Sequence, residues 1–236
     1  MKNSIIYGLV VVLALSASCQ QTGKKVKLES NIDSVSYAIG VLVGANNLKQ
    51  LETAPGGDEI NKEAMAAAFR AATLNEDSVI TPEQAQTLVQ KFFESAGDRQ
   101  AQKNLEEGNA FLEKNKARAG VTTTESGLQY EVITAGTGPM PAAADQVRVN
   151  YHGTLIDGKV FDSSVDRGEP VVFGVGQVIP GWTEALQLMP VGSKWKIYLP
   201  SNIAYGERGA GGDIGPNAAL IFEVELREIV PAEPTK

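Results

Sequence analysis

Residues 151–182 read YHGTLIDGKVFDSSVDRGEPVVFGVGQVIPGW, a segment in which aromatic and branched apolar side chains surround a small number of charged groups. Glycine and proline mark its turns. This composition is typical of an apolar binding pocket with a few fixed polar groups. The segment contains no convincing pair of nucleophile and base, no metal-binding cluster and no phosphate loop. If it forms an active site, that site acts through its shape and its environment.

Segments with alternating polarity flank this stretch on both sides. They are residues 147–152, 194–199 and 220–227, and residues 127–134 are a further predicted strand. A period of two predicts half-buried strands of a mostly antiparallel sheet. The Asp157-Gly158 pair between apolar residues predicts a hairpin turn. Residues 181–187 predict a short helix between two of the strands.

The first half of the chain has helical periodicity instead. Apolar residues recur at helical spacing over residues 33–49 and 60–74 and in the early part of a third predicted helix, residues 81–116. We expect Asp33 to cap the first of these helices. The third has a strong start signal, with Thr81 as the hydroxyl cap, proline at the next position and Gln84 completing a capping box.

The middle of the third helix, residues 97–108, is almost entirely polar. A long helix with a solvated middle is typical of a spacer between two packed units. The sequence therefore predicts an α+β protein, with an all-helical N-terminal half and an antiparallel C-terminal domain.

Two glycines lie four residues apart in the first helix, at Gly40 and Gly44, and therefore on one face. Glycine costs about 1 kcal/mol relative to alanine inside a helix. The spacing indicates either close approach by a helix of another chain or a local packing need within this one.

The N-terminus has the features of a targeting segment. Lys2 precedes an apolar run from Ile5 to Ala17, which is too short for a comfortable membrane span. Small residues then precede Cys19, as in a bacterial lipoprotein signal of residues 1–18 whose cysteine carries the lipid. Ser16 departs from that signal, which usually has a large aliphatic residue there. Ordinary secretion and an uncleaved anchor are the alternatives.

Composition excludes several classes of protein. The chain of 236 residues is 43% hydrophobic and 21% charged, so a packed core is expected and global disorder is not. Its net charge of −7 and the lack of a strong basic cluster disfavour nucleic-acid binding. The single cysteine excludes an intrachain disulfide.

Few residues outside the aromatic set suit acid–base chemistry. His152 is the only histidine, and alternation places it on the opposite face from Tyr151. Asp162 and Asp166 resemble a pair of glycosidase carboxylates, but Arg167 nearby would keep an aspartate ionised. The glycine-rich loop of residues 209–215 lacks the Lys-Ser/Thr ending of a phosphate loop and predicts a pocket wall. The aromatic residues suit either a core or a pocket.

Several ordered motifs over residues 120–230 resemble FKBP-type peptidyl-prolyl cis/trans isomerases. They are VFDSS at 160–164, QVIPGWTEAL at 177–186, AYG at 204–206 and LIFEVEL at 220–226. The first half resembles the macrophage infectivity potentiator branch of exported bacterial members. The motifs there are SYAIG at 36–40, the capped long helix and GLQY at 127–130.

The resemblance implies a fold and a set of domains. The expected C-terminal fold is a five-stranded antiparallel sheet curled around one short helix. The implied order is a signal peptide, a flexible tether, a helical dimerisation domain, a long connecting helix and an isomerase domain. Their expected bounds are residues 1–18, 19–30, 31–80, 81–118 and 119–231.

The resemblance also assigns site residues. Trp182 would form the pocket floor, and Asp162 would lie at the edge, held by Tyr151 and Arg167. Tyr205 and the backbone N–H of Ile179 would donate hydrogen bonds to a ligand carbonyl. The residues expected to act on the reacting bond are Tyr151, Phe161, Asp162 and Tyr205. Those expected to bind substrate are Arg167, Phe173, Val178, Ile179, Trp182, Ile214 and Phe222.

Three positions depart from the family pattern. Val171 replaces a frequent aromatic residue, Ala210 replaces a frequent histidine, and Asp213 replaces a frequent apolar residue. These changes leave the pocket floor intact and affect the contacts of the loop beside it.

The implied activity is rotation about X-Pro bonds in exported proteins, which assists their folding without cofactor or metal. Proline-containing unfolded chains are the expected partners, with rapamycin-class macrolides as inhibitors, and the expected form is a homodimer anchored by lipid in the cell envelope. The alternative is a non-catalytic chaperone that holds unfolded chains in the cleft between two protomers.

Overall fold

The computed structural model describes residues 26–231, so the expectations for the signal segment and for Cys19 lie outside the described residues. The helices are α1 (Asn31–Thr53), α2 (Lys62–Thr73), α3 (Pro82–Lys116), α4 (Ser164–Arg167) and α5 (Pro180–Leu188). The strands are β1 (Val121–Thr123), β2 (Gln129–Thr134), β3 (Gln146–Leu155), β4 (Val160–Ser163), β5 (Val171–Gly174), β6 (Lys194–Leu199) and β7 (Leu220–Val230). This arrangement of helices followed by an antiparallel sheet confirms the predicted α+β class.

Helix α1 begins two residues before the predicted span of residues 33–49 and ends four residues after it, and Asp33 is not its cap. The Oγ of Ser30 accepts the backbone N–H of Asp33 at 3.0 Å. The carboxylate of Asp33 in turn accepts the N–H of Ser30 at 2.9 Å. Ser30 is therefore the cap, and Asp33 is its reciprocal partner at the third helical position, because a short acidic side chain reaches back as a glutamate would.

Helices α2 and α3 have the local start signals that their sequences require. The side chain of Asn61 accepts two N–H groups at the start of α2. At the start of α3, Thr81 Oγ1 accepts the N–H of Gln84 at 3.3 Å, and the side chain of Gln84 accepts the N–H of Thr81 at 2.9 Å. The predicted capping box is therefore present. None of the helices among residues 26–231 is long and apolar enough to cross a membrane.

The sheet has the order β1-β2-β6-β7-β3-β4, and β5 pairs with β3; every pairing is antiparallel. Seven strands stand where five were expected. The difference has a simple cause, because β4 and β5 pair with different parts of β3 and together form one edge interrupted by α4. Strand β1 adds three residues to the opposite edge.

The core lies between the sheet and α5. Ala185 and Leu186 of the helix are fully buried among inward-facing strand residues such as Val149, Ile197 and Val224. Gly181 makes this packing possible, since an added Cβ there would collide with the side chain of Leu199. The sequence Pro-Gly-Trp at 180–182 thus starts the helix, lets it approach the sheet and delivers the tryptophan to the sheet face.

Candidate active site

A cavity of about 750 Å³ opens between α5, the sheet and the loop of residues 209–216. It is lined by Tyr151, Phe161, Asp162, Phe173, Gln177, Val178, Ile179, Trp182, Tyr205, Ala210, Gly211, Asp213, Ile214 and Phe222. The structure therefore brings together every residue that the sequence assigned to the pocket except Arg167. That residue lies just outside the wall and contacts two lining residues.

Aromatic rings form the floor. Trp182 is 4% exposed and meets three rings edge to face. The centroid distances are 5.2 Å to Phe222, 5.4 Å to Tyr151 and 5.8 Å to Phe173. Edge-to-face packing at these distances stabilises the cluster beyond the burial of its surface. The indole Nε1 of Trp182 has no hydrogen-bond partner among the described residues, so packing alone holds this ring in the floor.

One wall depends on a glycine that the sequence analysis did not single out. Phe161 and Phe222 pack edge to face with centroids 5.4 Å apart. An added Cβ at Gly153 in β3 would lie 2.8 Å from the ring of Phe161 and 2.9 Å from that of Phe222. Only glycine lets both rings lie over this strand. The adjacent alternation indicated a strand, but nothing local indicated that two rings cross it.

The polar edge of the cavity is a cluster of three side chains. The Tyr151 hydroxyl donates to Oδ2 of Asp162 at 2.5 Å, and Nη2 of Arg167 donates to that hydroxyl at 2.9 Å. Arg167 also pairs with the Asp162 carboxylate. Burial raises the pKa of Asp162, but the hydrogen bonds from Tyr151 and Arg167 outweigh it and hold the pKa below its usual value. Asp162 is thus an ionised, structural carboxylate.

Two serines fix this cluster. The Oγ of Ser163 accepts the N–H of Asp166 at 3.1 Å and caps α4, the helix that carries Arg167. The buried Oγ of Ser164 accepts the backbone N–H of Tyr151 at 2.8 Å. The serine pair in VFDSS therefore positions the charged residues on either side of it.

The two expected donors lie at the mouth and at the helix start. Tyr205 is 40% exposed and lines the cavity. The Ile179 carbonyl accepts the N–H groups of Trp182 and Thr183 at 2.9 and 3.1 Å, which fixes the peptide that begins α5. Gln177, just before it, also lines the cavity and was not predicted, although it belongs to the QVIPGW run.

The loop of residues 209–216, here called the flap, folds as a small hairpin. Ala210 and Ile214 exchange two backbone hydrogen bonds, of 2.9 and 3.1 Å. Asp213, the charged departure from the family pattern, forms an ion pair of 2.8 Å with Lys159. The aspartate at this position is therefore accommodated by the ammonium group of Lys159, which lies in the turn between β3 and β4. The glycine-rich loop is a pocket wall, as its composition predicted.

The other two departures are placed differently. Ala210 lines the cavity. Val171 lies in β5, pairs with Val149 and packs against the core, and it is not among the lining residues. Val171 therefore takes the place of an aromatic residue at a position that packs against the core and does not line the cavity.

The remaining candidates do not form a reactive site. Nδ1 of His152 contacts the Oγ of Ser163 at 3.0 Å and lies 3.8 Å from the carboxylate of Asp166, off the cavity side of the sheet. Across residues 26–231, no group of three or more histidine, cysteine, aspartate or glutamate side chains is arranged to hold a metal ion.

Comparison with known proteins identifies the family. Residues 138–227 match the model of FKBP-type peptidyl-prolyl cis-trans isomerases, and residues 32–132 match that of the domain amino terminal to them. The chain is 40% identical to the outer membrane protein MIP of Legionella longbeachae over 98% of this chain and all of the relative. It is 46% identical to the FKBP-type 22 kDa peptidyl-prolyl cis-trans isomerase of Escherichia coli over 83% of this chain and 94% of the relative.

A solved structure extends the likeness to the fold. The crystal structure of FkpA from Escherichia coli superposes with a TM-score of 0.66 at 36% identity, covering 88% of this chain and 100% of that one. The family matches, the helical N-terminal region and the aromatic cavity all indicate the same family. The chain therefore belongs to the FKBP-type peptidyl-prolyl cis-trans isomerase family, and it is an enzyme of that class.

Proposed function

We propose that the cavity binds the proline of an extended polypeptide and accelerates rotation about the preceding X-Pro bond. The single observation behind this proposal is an aromatic-walled cavity whose edge carboxylate, that of Asp162, is already paired with Arg167. The barrier to rotation, about 18–20 kcal/mol, comes from amide resonance. The twisted amide has lost that resonance and separates less charge, so an apolar cavity stabilises it more than it stabilises the planar amide.

In this proposal each group has a separate role. Trp182 supports the proline ring, and the walls of Phe161 and Phe222 exclude water from the rotating bond. The Tyr205 hydroxyl and the N–H of Ile179 donate to substrate carbonyls. The remaining members, Tyr151, Asp162, Arg167, Phe173, Val178 and Ile214, shape the cavity and its edge. Catalysis then consists of differential binding with no covalent intermediate.

Truncation of one wall tests this proposal. We expect Phe161→Ala to lower kcat/KM for a proline-containing peptide at least about tenfold, which corresponds to about 1.4 kcal/mol in the transition state. Phe69→Ala is the matched control, because Phe69 is an exposed phenylalanine of α2. Equal kcat/KM in Phe161→Ala and wild type, with both proteins folded, would rule the cavity out as the site.

The FkpA-like helical N-terminal region fits a dimer, and we propose that residues 31–80 form the dimerisation domain. Helix α1 has no buried residue, and Ile32, Ile39 and Leu42 are 72%, 57% and 70% exposed. Gly40 and Gly44 have no atom within 4 Å of an added Cβ. An apolar helix surface with two small residues four apart suits contact with a second copy of the chain. Residues 81–118 then act as the connecting helix and residues 119–231 as the isomerase domain.

We also propose an anchored location in the cell envelope. The support is the lipoprotein-like segment of residues 1–18 before Cys19, together with the relative named as an outer membrane protein. The substrates would then be exported chains during folding. Cys19→Ser should release the protein from the membrane fraction of an expressing bacterium. Unchanged membrane association in that variant would refute lipid attachment at Cys19.

A second function has its own observation. Phe69 of α2 is 48% exposed and Leu74, directly after this helix, is 55% exposed, while Leu88 and Val89 of α3 are 57% and 55% exposed. Such an exposed apolar surface suits the holding of unfolded chains in the cleft of a dimer, a function that does not require catalysis. If so, Phe69→Ser should weaken suppression of aggregation while leaving peptide isomerisation intact, and Phe161→Ala should do the reverse. Loss of both activities in either variant would contradict this separation.

A further inference from the structure

The C-terminal end of α3 is fixed to the isomerase domain by a buried amide pair. Nδ2 of Asn115 donates to Oε1 of Gln129 at 2.8 Å. Nε2 of Gln129 donates in turn to the carbonyl of Leu112 at 2.9 Å. Both amides are 3% exposed. Because buried polar groups are costly to leave unpaired, this pair holds the last turns of α3 in one place on β2.

A second contact makes the junction rigid. Arg118, just after the helix, donates to the Tyr198 hydroxyl at 3.1 Å and to the Glu131 carboxylate at 3.0 Å. Tyr198 donates to the same carboxylate at 2.5 Å. Burial and the hydrogen bond to Glu131 raise the pKa of Tyr198, so its proton stays in place. Two hydrogen-bonded groups therefore fix the C-terminal end of α3 to the domain that contains the active site.

On the N-terminal side of this fixed end, α3 passes behind the flap. An added Cβ at Gly108 would lie 3.1 Å from the Cβ of Ala219, so the helix approaches as closely as glycine permits. One turn earlier, Nδ2 of Asn104 donates to the carbonyl of Pro216 at 2.7 Å. Nε2 of Gln100 donates to Oδ1 of Asn104 at 2.7 Å, which turns the Asn104 amide so that its NH₂ group faces the flap.

The flap has a cavity on each side. Ala210, Gly211 and Ile214 line the active-site cavity. A groove of about 420 Å³, bounded by α3 and by residues of the flap including Gly212 and Gly215, lies on the other side. Because this groove separates much of the flap from the helix, a few polar contacts must hold the loop from behind.

Among residues 26–231, two side-chain contacts of this kind are present, and they differ in strength. The Lys159–Asp213 ion pair joins side chains that are 52% and 57% exposed, and such pairs contribute little. The Asn104–Pro216 hydrogen bond is part-buried, and its donor is oriented by Gln100. Beyond Pro216, the N–H of Asn217 donates to the carbonyl of Gly206 at 2.8 Å, next to Tyr205. The Asn104 contact therefore reaches both the flap and the segment that carries Tyr205.

We propose that Asn104 of α3 is a positioning residue for the isomerase site, holding the flap and the Tyr205 segment in the conformation that receives substrate. This inference rests on the proposed function of the cavity. Without the hydrogen bond, the flap is mobile in the free enzyme and is ordered only when substrate binds. The entropic cost of ordering the flap weakens the binding of the substrate and of the transition state equally. The loss of the hydrogen bond therefore raises KM and leaves kcat unchanged.

The test uses the full chain and four proteins: wild type, Asn104→Ala, Asn104→Asp and Asn109→Ala. Asp keeps the shape of the side chain but cannot donate. Asn109 is an exposed asparagine of the same helix, so its alanine variant has the same change in helix propensity without a flap contact. Exchange NMR over a range of X-Pro peptide concentrations gives kcat and KM. Hydrogen exchange of residues 206–217 reports on the flap independently of activity.

We expect both Asn104 variants to raise KM about two- to tenfold at constant kcat, the effect of one lost hydrogen bond. Hydrogen exchange of residues 206–217 should also accelerate in both, and Asn109→Ala should match wild type in every measurement. Wild-type KM and wild-type flap exchange in both Asn104 variants would overturn the inference, as would a fall in kcat at constant KM. An inactive wild type would instead refute the proposed function, and the exchange data would still decide whether Asn104 holds the flap.

Discussion

The hydroxyl of Tyr151 donates a hydrogen bond of 2.5 Å to Oδ2 of Asp162 at the edge of the cavity. Arg167 closes the cluster by contacting both. Burial, and then the hydrogen bond to Asp162, raise the pKa of Tyr151 above its ordinary value. The Tyr151 hydroxyl is therefore held between an acceptor, Asp162, and a donor, Arg167, and we expect this residue to organise the site without serving as an acid or base.

This arrangement predicts a specific pH dependence of stability. The pKa of Asp162 is below its ordinary value of 3.8, so its contribution to stability is complete above that value and is lost as pH falls through the folded-state pKa. We expect the difference in free energy of unfolding between wild type and Asp162→Asn to shrink on acidification from about pH 6 to about pH 2. Urea titrations at several pH values measure it, and a constant difference would show that the carboxylate is not stabilised by its neighbours.

Removal of one hydroxyl should separate donation from packing at the mouth of the cavity. In Tyr205→Phe, kcat/KM for an X-Pro peptide should fall about fivefold, the effect of about 1 kcal/mol for one lost hydrogen bond. Stability should not change, because Tyr205 is 40% exposed. Tyr130→Phe is the control, since Tyr130 stacks on Trp195 away from the cavity. Full activity in Tyr205→Phe would remove this hydroxyl from the mechanism.

A single methyl group should disturb the aromatic wall. The Cβ of Gly153→Ala would press on Phe161 and Phe222, and overpacking of this kind costs about 1–3 kcal/mol. We expect a lower midpoint of urea unfolding and a loss of isomerase activity. Gly97→Ala in α3 is the control, because its Cβ meets open space and should stabilise the helix by up to about 1 kcal/mol. Wild-type stability in Gly153→Ala would mean that the rings give way freely.

The proposed dimer should depend on the small residues of α1. In Gly44→Leu, a large side chain occupies space that is open in the single chain, so we expect it to block the partner helix and shift the protein towards monomer. Sedimentation velocity at micromolar concentration measures the mass, and peptide isomerisation should persist because the cavity is far along the chain. A wild-type protein that is monomeric at this concentration would refute the dimer.

Local signals in the sequence account for much of the fold. The Thr81 capping box, the alternation over residues 220–226 and the short helix over residues 181–187 are all present where the sequence predicts them. Each is a relation between residues close in the chain, or a period set by one element. The family motifs predict most of the residues that line the cavity, and the predicted strands and short helix hold many of those residues in place.

Contacts between segments far apart in the chain cannot be predicted from such local signals. Alternation places Tyr198 on the outer face of β6, yet it is 2% exposed because α3 covers that face through Phe111 and Leu112. The Asn104–Pro216 hydrogen bond joins positions 112 residues apart. The polar stretch of α3 predicts a solvated spacer, and its local sequence does not distinguish the part-buried Asn104 from the exposed Asn109.

The most direct test of the account is the rate of cis/trans exchange of an X-Pro peptide in the presence of catalytic amounts of the folded protein, with and without a rapamycin-class macrolide. We predict clear acceleration over the uncatalysed rate, with the macrolide abolishing it by occupying the cavity lined by Trp182 and Phe222. Exchange at the uncatalysed rate in the presence of well-folded protein would contradict the account.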